Sequence, residues 1–96
     1  MAEVLYTESA LLDLDRIHEH YSRYSRERGD GFSEKLSETI YLLAAMPLLG
    51  RSRDELLSGL RMFVHERHVI FYTQTENGIL IERVASPYQN NEDFFQ

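Results

Sequence analysis

A change of hydrophobic period at Pro47 constrains this chain more than any other feature. Upstream, Ala10, Leu14, Ile17, Tyr21 and Tyr24 are spaced by steps of four, three, four and three, which lays them along one face of a helix. The run "RGDG" (28–31) breaks that pattern. A second stripe passes through Phe32, Leu36, Ile40 and Leu43, and Pro47 stops it just past Met46. Two helices joined by so short a link fold back on each other as an antiparallel hairpin. Downstream the period turns strand-like: "LRMFVHE" and "RHVIFYTQT" are rich in Val, Ile, Phe and Tyr, with a tight turn expected at 65–67. Asn-Gly within "ENG" (76–78) signals a further hairpin, because both residues tolerate positive φ, and "ILIERVAS" is the returning strand. Near the start, "EVLYT" reads as a first strand, with Thr7 or Ser9 capping the helix that follows. The expectation is an α+β fold in a single domain over 1–96: an N-terminal strand, an antiparallel helical hairpin, then a three-stranded antiparallel meander.

A meander with helices on one side leaves its other face open. Ile79, Ile81 and Arg83 point one way along the last strand, and Leu80, Glu82 and Val84 the other. Each face carries one charge, so alternation alone does not say which is inside. Arg61 and Arg83 fall on strands expected to be neighbours, and together they would edge the open face as a platform. Tyr21, Tyr24, Phe63, Phe71 and Tyr72 are expected in the core, and Gly50 and Gly59 at turns that need permissive φ.

Charge limits the function classes. Residues 1–50 carry five basic and nine acidic groups and residues 51–96 carry five and seven, for a net charge of −6. Neither half offers the basic face that displaces counterions from nucleic acid, so direct DNA or RNA binding is not expected. The segment 51–67 still holds four arginines against Asp54, Glu55 and Glu66. The absence of cysteine removes disulfides and thiolate metal sites and fits a reducing compartment. Glu3 and Glu8 stand where a signal peptide needs positive charge, and no run approaches the ~20 apolar residues of a membrane span. The reading is of a cytoplasmic protein.

No catalytic motif stands out. A glycine-rich phosphate loop, GxSxG and HExxH are all missing. His18 and His20 diverge by roughly 200° on a helix and cannot share a metal. His65 and His68 flank a turn without a third ligand. Asp13 and Asp15 diverge likewise, and Asp54 and Glu55 read as helix-start acids for "DELLSG". Neither metal nor cofactor is expected. The remaining chemical option is RNA cleavage by basic side chains, with Arg51, Arg61, Arg67, Arg83, His65, His68 and Tyr88 as candidates.

"ALLDLDRIHEHY", Pro47, Gly50 and Arg51 of "PLLGR", then "GLRMF", "HVIFY" and "ILIERV" occur in an order that resembles the ParE-type toxins of the RelE/ParE superfamily. The resemblance covers roughly residues 4 to 84. It implies the same RelE/ParE-like fold and a bacterial cytoplasmic toxin of a type II toxin–antitoxin module. It also implies neutralisation by a ParD-type antitoxin whose C-terminal segment wraps it. ParE-type members poison DNA gyrase, whereas RelE-type members cleave messenger RNA on the ribosome. The ParE branch is favoured here. Val69 stands where RelE-type chains commonly carry arginine, and no Lys, Arg or His follows Arg83. The histidine, glycine and second arginine that often follow the last strand in ParE-type chains are replaced by "ASPYQN". An inactive member that keeps only antitoxin binding is a third reading.

Under the resemblance, Arg51, Arg53, Arg61 and Arg83 are expected to meet a protein partner, arginine being favoured at interfaces for its paired binding of carboxylates. Their simpler roles are a favourable position after a helix C-terminus plus pairing with Asp54 or Glu55 for Arg51 and Arg53, and pairing with Glu66 or Glu82 for Arg61 and Arg83. Leu11, Leu12, Leu42 and Leu48 lie off the helical stripes and are expected to form an apolar groove for an antitoxin helix.

Overall fold

The computed structural model describes residues 2–87, 89 and 91–95. Strand β1 (Glu3–Tyr6) leads into helices α1 (Glu8–Ser22) and α2 (Arg26–Ala45). Strands β2 (Arg51–Ser52), β3 (Arg61–His65), β4 (His68–Gln74) and β5 (Gly78–Ala85) follow, then a 3-10 turn over Asn91–Phe95. The expected meander is β3–β4–β5, antiparallel throughout. Two additions complete a five-stranded sheet of order β1-β5-β4-β3-β2: β1 pairs parallel with β5, and the two-residue β2 pairs with β3. The parallel pairing follows from the helical hairpin, which carries the chain from one end of the sheet to the far edge before the meander begins.

Thr7 caps α1, its Oγ1 accepting the Ala10 N–H at 3.0 Å while donating to the Glu82 carbonyl at 2.8 Å. One hydroxyl thus starts the helix and ties it to β5. The break between the helices falls at residues 23–25, and "RGDG" lies inside α2. Ser25 decides this, because its side chain accepts the Arg28 N–H at 3.0 Å and starts the second helix at Arg26, six residues before Phe32, where the glycines suggest it begins. Tyr24 therefore lies beyond α1 and is 66% exposed, outside the core, with the Arg28 guanidinium over its ring.

The turn between β4 and β5 is closed by the Thr75 N–H donating to the Gly78 carbonyl, so Glu76 and Asn77 form its tip. Neither takes positive φ; the glycine answers to a different demand. A Cβ on Gly78 would fall 1.8 Å from the Glu3 carbonyl oxygen, so glycine admits β1 alongside. "DELLSG" forms turns rather than a helix, since the Asp54 carboxylate accepts the Gly59 N–H at 2.8 Å and closes a loop, with Gly59 at φ 80° as expected.

A register shift opposite Phe71 and Tyr72 resolves the ambiguity of β5. Arg83 pairs with Phe71 and Ile81 with Tyr72, leaving Glu82 as the extra residue. Ile79, Ile81 and, past the bulge, Val84 all face the helices and pack with Ala10, Ile17, Phe32, Leu36, Ile40 and Leu43. The opposite face is not left open. Leu60, Phe71 and Ala85 form a second buried cluster there, covered by Leu56, Met62, Val69, Phe94 and Phe95. The terminal phenylalanines fold back onto the sheet, with Phe95 and Phe71 ring centroids 5.2 Å apart.

Candidate partner-binding site

The motif Pro47, Gly50, Arg51 is a loop clamped at three points. Tyr72, buried on β4, donates its hydroxyl hydrogen to the Pro47 carbonyl at 2.7 Å and accepts the Gly50 N–H at 2.8 Å. Arg61 on β3 donates to the Gly50 carbonyl at 2.7 Å. A Cβ at residue 50 would lie 2.4 Å from the Tyr72 hydroxyl oxygen, so Gly50 is set by close approach and not by φ. Burial holds the Tyr72 phenol above its ordinary range and keeps it a neutral donor. This clamp fixes the direction in which Leu48, Leu49 and Arg51 leave the sheet.

The four candidate arginines do not share a platform. Strand β4 separates β3 from β5, so Arg61 and Arg83 are not on neighbouring strands. Arg61 pairs with Tyr72 on the helix side and is spent on Gly50. Arg83 makes a two-pronged contact with Asp13 of α1, Nε to Oδ2 at 2.8 Å and Nη2 to Oδ1 at 2.9 Å. Its guanidinium also stands 4.0 Å from the Phe94 ring centroid. The hydrogen bonds to Asp13 raise the Arg83 pKa further. Asp13, 3% exposed, completes its shell by accepting the Val84 N–H at 2.9 Å. The partner of Arg83 is thus neither Glu66 nor Glu82 but a residue 70 positions upstream. Arg53 is half-buried, paired with Glu55 at 2.8 Å and lying 3.1 Å from Met62 Sδ. That pairing pulls the Glu55 carboxyl below its usual range. Arg51 on β2 is exposed, its guanidinium 3.7 Å from the same sulfur.

The leucines behave differently. Leu11, Leu12, Leu42 and Leu48 are 50%, 54%, 46% and 69% exposed. Because the helices form a hairpin, the start of α1 and the end of α2 share one end of it, and the 47–50 loop leaves from there. Tyr41, Met46 and Leu49 add further exposed apolar surface at that end. Tyr41 adjoins the stripe residue Ile40 and Met46 adjoins the stop Pro47, and those neighbours carry the periodic signal. Met46 was nonetheless legible as the i+4 neighbour of Leu42.

Of the residues considered for RNA cleavage, Arg67 and His68 line one pocket beside the end of α1, and the others lie apart from it or are engaged. Arg61 and Arg83 are committed as described. His65 Nδ1 is hydrogen-bonded to Thr39 Oγ1 at 2.9 Å. His68 is buried against Tyr21 and Phe32 and, through that desolvation, holds its proton less readily than a free imidazole. Tyr88 lies outside the described residues. No group of three or more His, Cys, Asp or Glu among the described residues is placed to hold a metal. No helix among them is long and apolar enough to cross a membrane.

Residues 4–90 match the family described as the ParE toxin of the type II toxin–antitoxin system parDE. The chain belongs to the ParE toxin family. ParE membership accounts for the strand, helical hairpin and meander in one step. A solved structure titled "Chromosomal ParDE TA system from P. aeruginosa" contains a chain of similar fold, with a TM-score of 0.72. The two are 24% identical, the likeness covers 90% of this chain and 96% of that one, and at that identity it speaks to the fold. No curated protein matches in sequence.

Proposed function

We propose that this ParE-family protein acts by binding, with no bond made or broken by its own side chains, and that DNA gyrase is its target. A ParD-type antitoxin silences it in the bacterial cytoplasm by laying an amphipathic helix over the apolar end of the helical hairpin. The observation that carries the reading is the concentration of exposed Leu11, Leu12, Leu42, Met46 and Leu48 at that end, while Arg61 and Arg83 of the sheet are engaged by internal acceptors. Apolar surface of that kind on a small protein marks a site that a partner covers. Arg51, the exposed member of the arginine set, stands beside it to meet a partner carboxylate, with Arg53 behind it.

The test is co-expression with the antitoxin encoded beside the toxin, comparing wild type with Leu42→Glu and Leu48→Glu. A charge at either position is expected to weaken capture by the antitoxin at least ~30-fold, since a central apolar contact contributes ~2 kcal/mol or more. Toxicity should persist. In vitro, the free toxin should block supercoiling by gyrase and leave messenger RNA intact. Cleavage of ribosome-bound messages by the purified toxin would overturn the non-catalytic reading.

A further inference from the structure

A pocket of about 410 Å³ opens at the far side of α1, where the β3–β4 turn and the segment after β5 meet it. It is lined by three arginines from separate places: Arg16 on α1, Arg23 just past its end, and Arg67 in the turn. His20 and His68 add imidazoles. Asp13 is the sole acid among the described lining residues, and its oxygens are taken by Arg83 and the Val84 N–H. Arg16 comes no nearer to it than 3.9 Å and is 64% exposed at its side chain. Arg23 and Arg67 make no ion pair with any described residue. In a chain of net charge −6, a concave site with this excess of positive charge is the exception.

A second observation is independent of the arginines. His68 is only 4% exposed, forms part of the pocket wall, and its Nδ1 has no hydrogen-bond partner. Buried polar atoms are nearly always paired, so an orphan in the wall of a cavity calls for a physical explanation. Between the basic groups lie Ile17, Tyr21, Val84 and Pro87, which supply an apolar wall for a ring. Pockets of this size hold small organic ligands.

We propose that this pocket binds a small organic phosphate of mononucleotide size, its phosphate held by Arg16, Arg23 and Arg67 and its ring seated against Tyr21 and Pro87. A dianion suits three guanidiniums, whose planar forks match phosphate oxygens; a single carboxylate would occupy only one of them. None of the exposed leucines lines the pocket, so the proposal stands apart from the antitoxin reading.

The experiment is titration of the folded toxin with adenosine monophosphate, inorganic phosphate and adenosine, followed by the ring resonances of His20 and His68. Saturable shifts with the monophosphate, weakened about tenfold or more by Arg23→Ala with Arg67→Ala, are expected. Both side chains are exposed and make no hydrogen bond or ion pair with a described residue, so the variants keep the fold. Four results would overturn the proposal. They are no saturable shift up to about 10 mM at low salt, equal affinity for adenosine, equal affinity for inorganic phosphate, or shifts produced by a glutamate-rich peptide while the monophosphate is silent.

Discussion

Removing the carboxylate of Asp13 is the sharpest test of what Arg83 does. In the folded protein the Asp13 oxygens accept three hydrogen bonds, two from Arg83 and one from the Val84 N–H, at 2.8 to 2.9 Å. The pair joins α1 to the outer edge of β5 just beyond the last residue that β1 covers. Asp13→Ala leaves the Arg83 guanidinium and the Val84 N–H without their acceptor. Breaking one member of a largely buried, two-pronged pair costs about 3–5 kcal/mol, and the 22% exposure of the Arg83 side chain places this one toward the lower figure. Against a typical domain stability of ~5–15 kcal/mol, that is a large share. At ~4–8 °C per kcal/mol for a domain this small, the melting temperature should drop by more than ~10 °C. Arg83→Met should cost a comparable amount, because it strands the Asp13 charge. Urea unfolding by far-ultraviolet dichroism of both single variants and the double variant closes the cycle, and a coupling of at least ~2 kcal/mol is expected. If Arg83→Met melts with the wild type yet loses its toxicity, Arg83 belongs to a target-binding surface and the structural reasoning is refuted.

Three further outcomes follow from single contacts. Tyr72→Phe deprives Pro47 and Gly50 of their shared partner and should cost about 1–2 kcal/mol, with faster amide exchange at Gly50 in the same sample. Glu66 sits in the β3–β4 turn at φ 56°, a left-handed conformation that asparagine tolerates better; Glu66→Asn should raise stability by about 0.5–1 kcal/mol, and a lower midpoint in urea would contradict that. Burial lowers the His68 pKa, so the unfolded chain takes up a proton there, near pH ~6.5, before the folded one does. The associated stability is present above that pH and is lost as pH falls toward the folded value; His68→Gln should flatten the melting-temperature profile over that acid range.

Local chemistry made most elements legible and long-range chemistry did not. Helical spacing locates both helices, the cap of the first narrows to Thr7 or Ser9, and the β-rich runs locate the meander, because each signal lies within a few residues of the structure it specifies. The start of α2 is set by Ser25, whose capping hydroxyl serves the N-terminal N–H groups and outweighs the helix-breaking tendency of Gly29 and Gly31. The bulge at Glu82 was invisible, since only the register with β4 reveals it. The Arg83–Asp13 pair and the folding of Phe94 and Phe95 onto Phe71 join segments distant in sequence, and no period encodes such a meeting. The site followed the same division. Leu11, Leu12, Leu42 and Leu48 could be singled out as off-stripe apolar residues, whereas the sharing of the arginines among internal acceptors required the fold.

That sharing changes how arginine substitutions in this protein are to be interpreted. Arg61 supports the loop from which Leu48, Leu49 and Arg51 project, by holding the Gly50 carbonyl while Tyr72 holds the N–H of the same residue. Replacing Arg61 therefore frees the loop without touching the surface proposed to meet a partner, and binding should fall through lost preorganisation. Replacing Arg51 removes an exposed charge and leaves the loop clamped. The two variants separate on one pair of measurements. Arg51→Ala should slow association with the antitoxin, more so at low salt, at unchanged melting temperature. Arg61→Ala should lower the melting temperature and speed dissociation, with little salt dependence. Identical kinetic signatures for both would mean that the guanidiniums act together on a partner, and that the division between clamp and contact drawn from Gly50 is wrong.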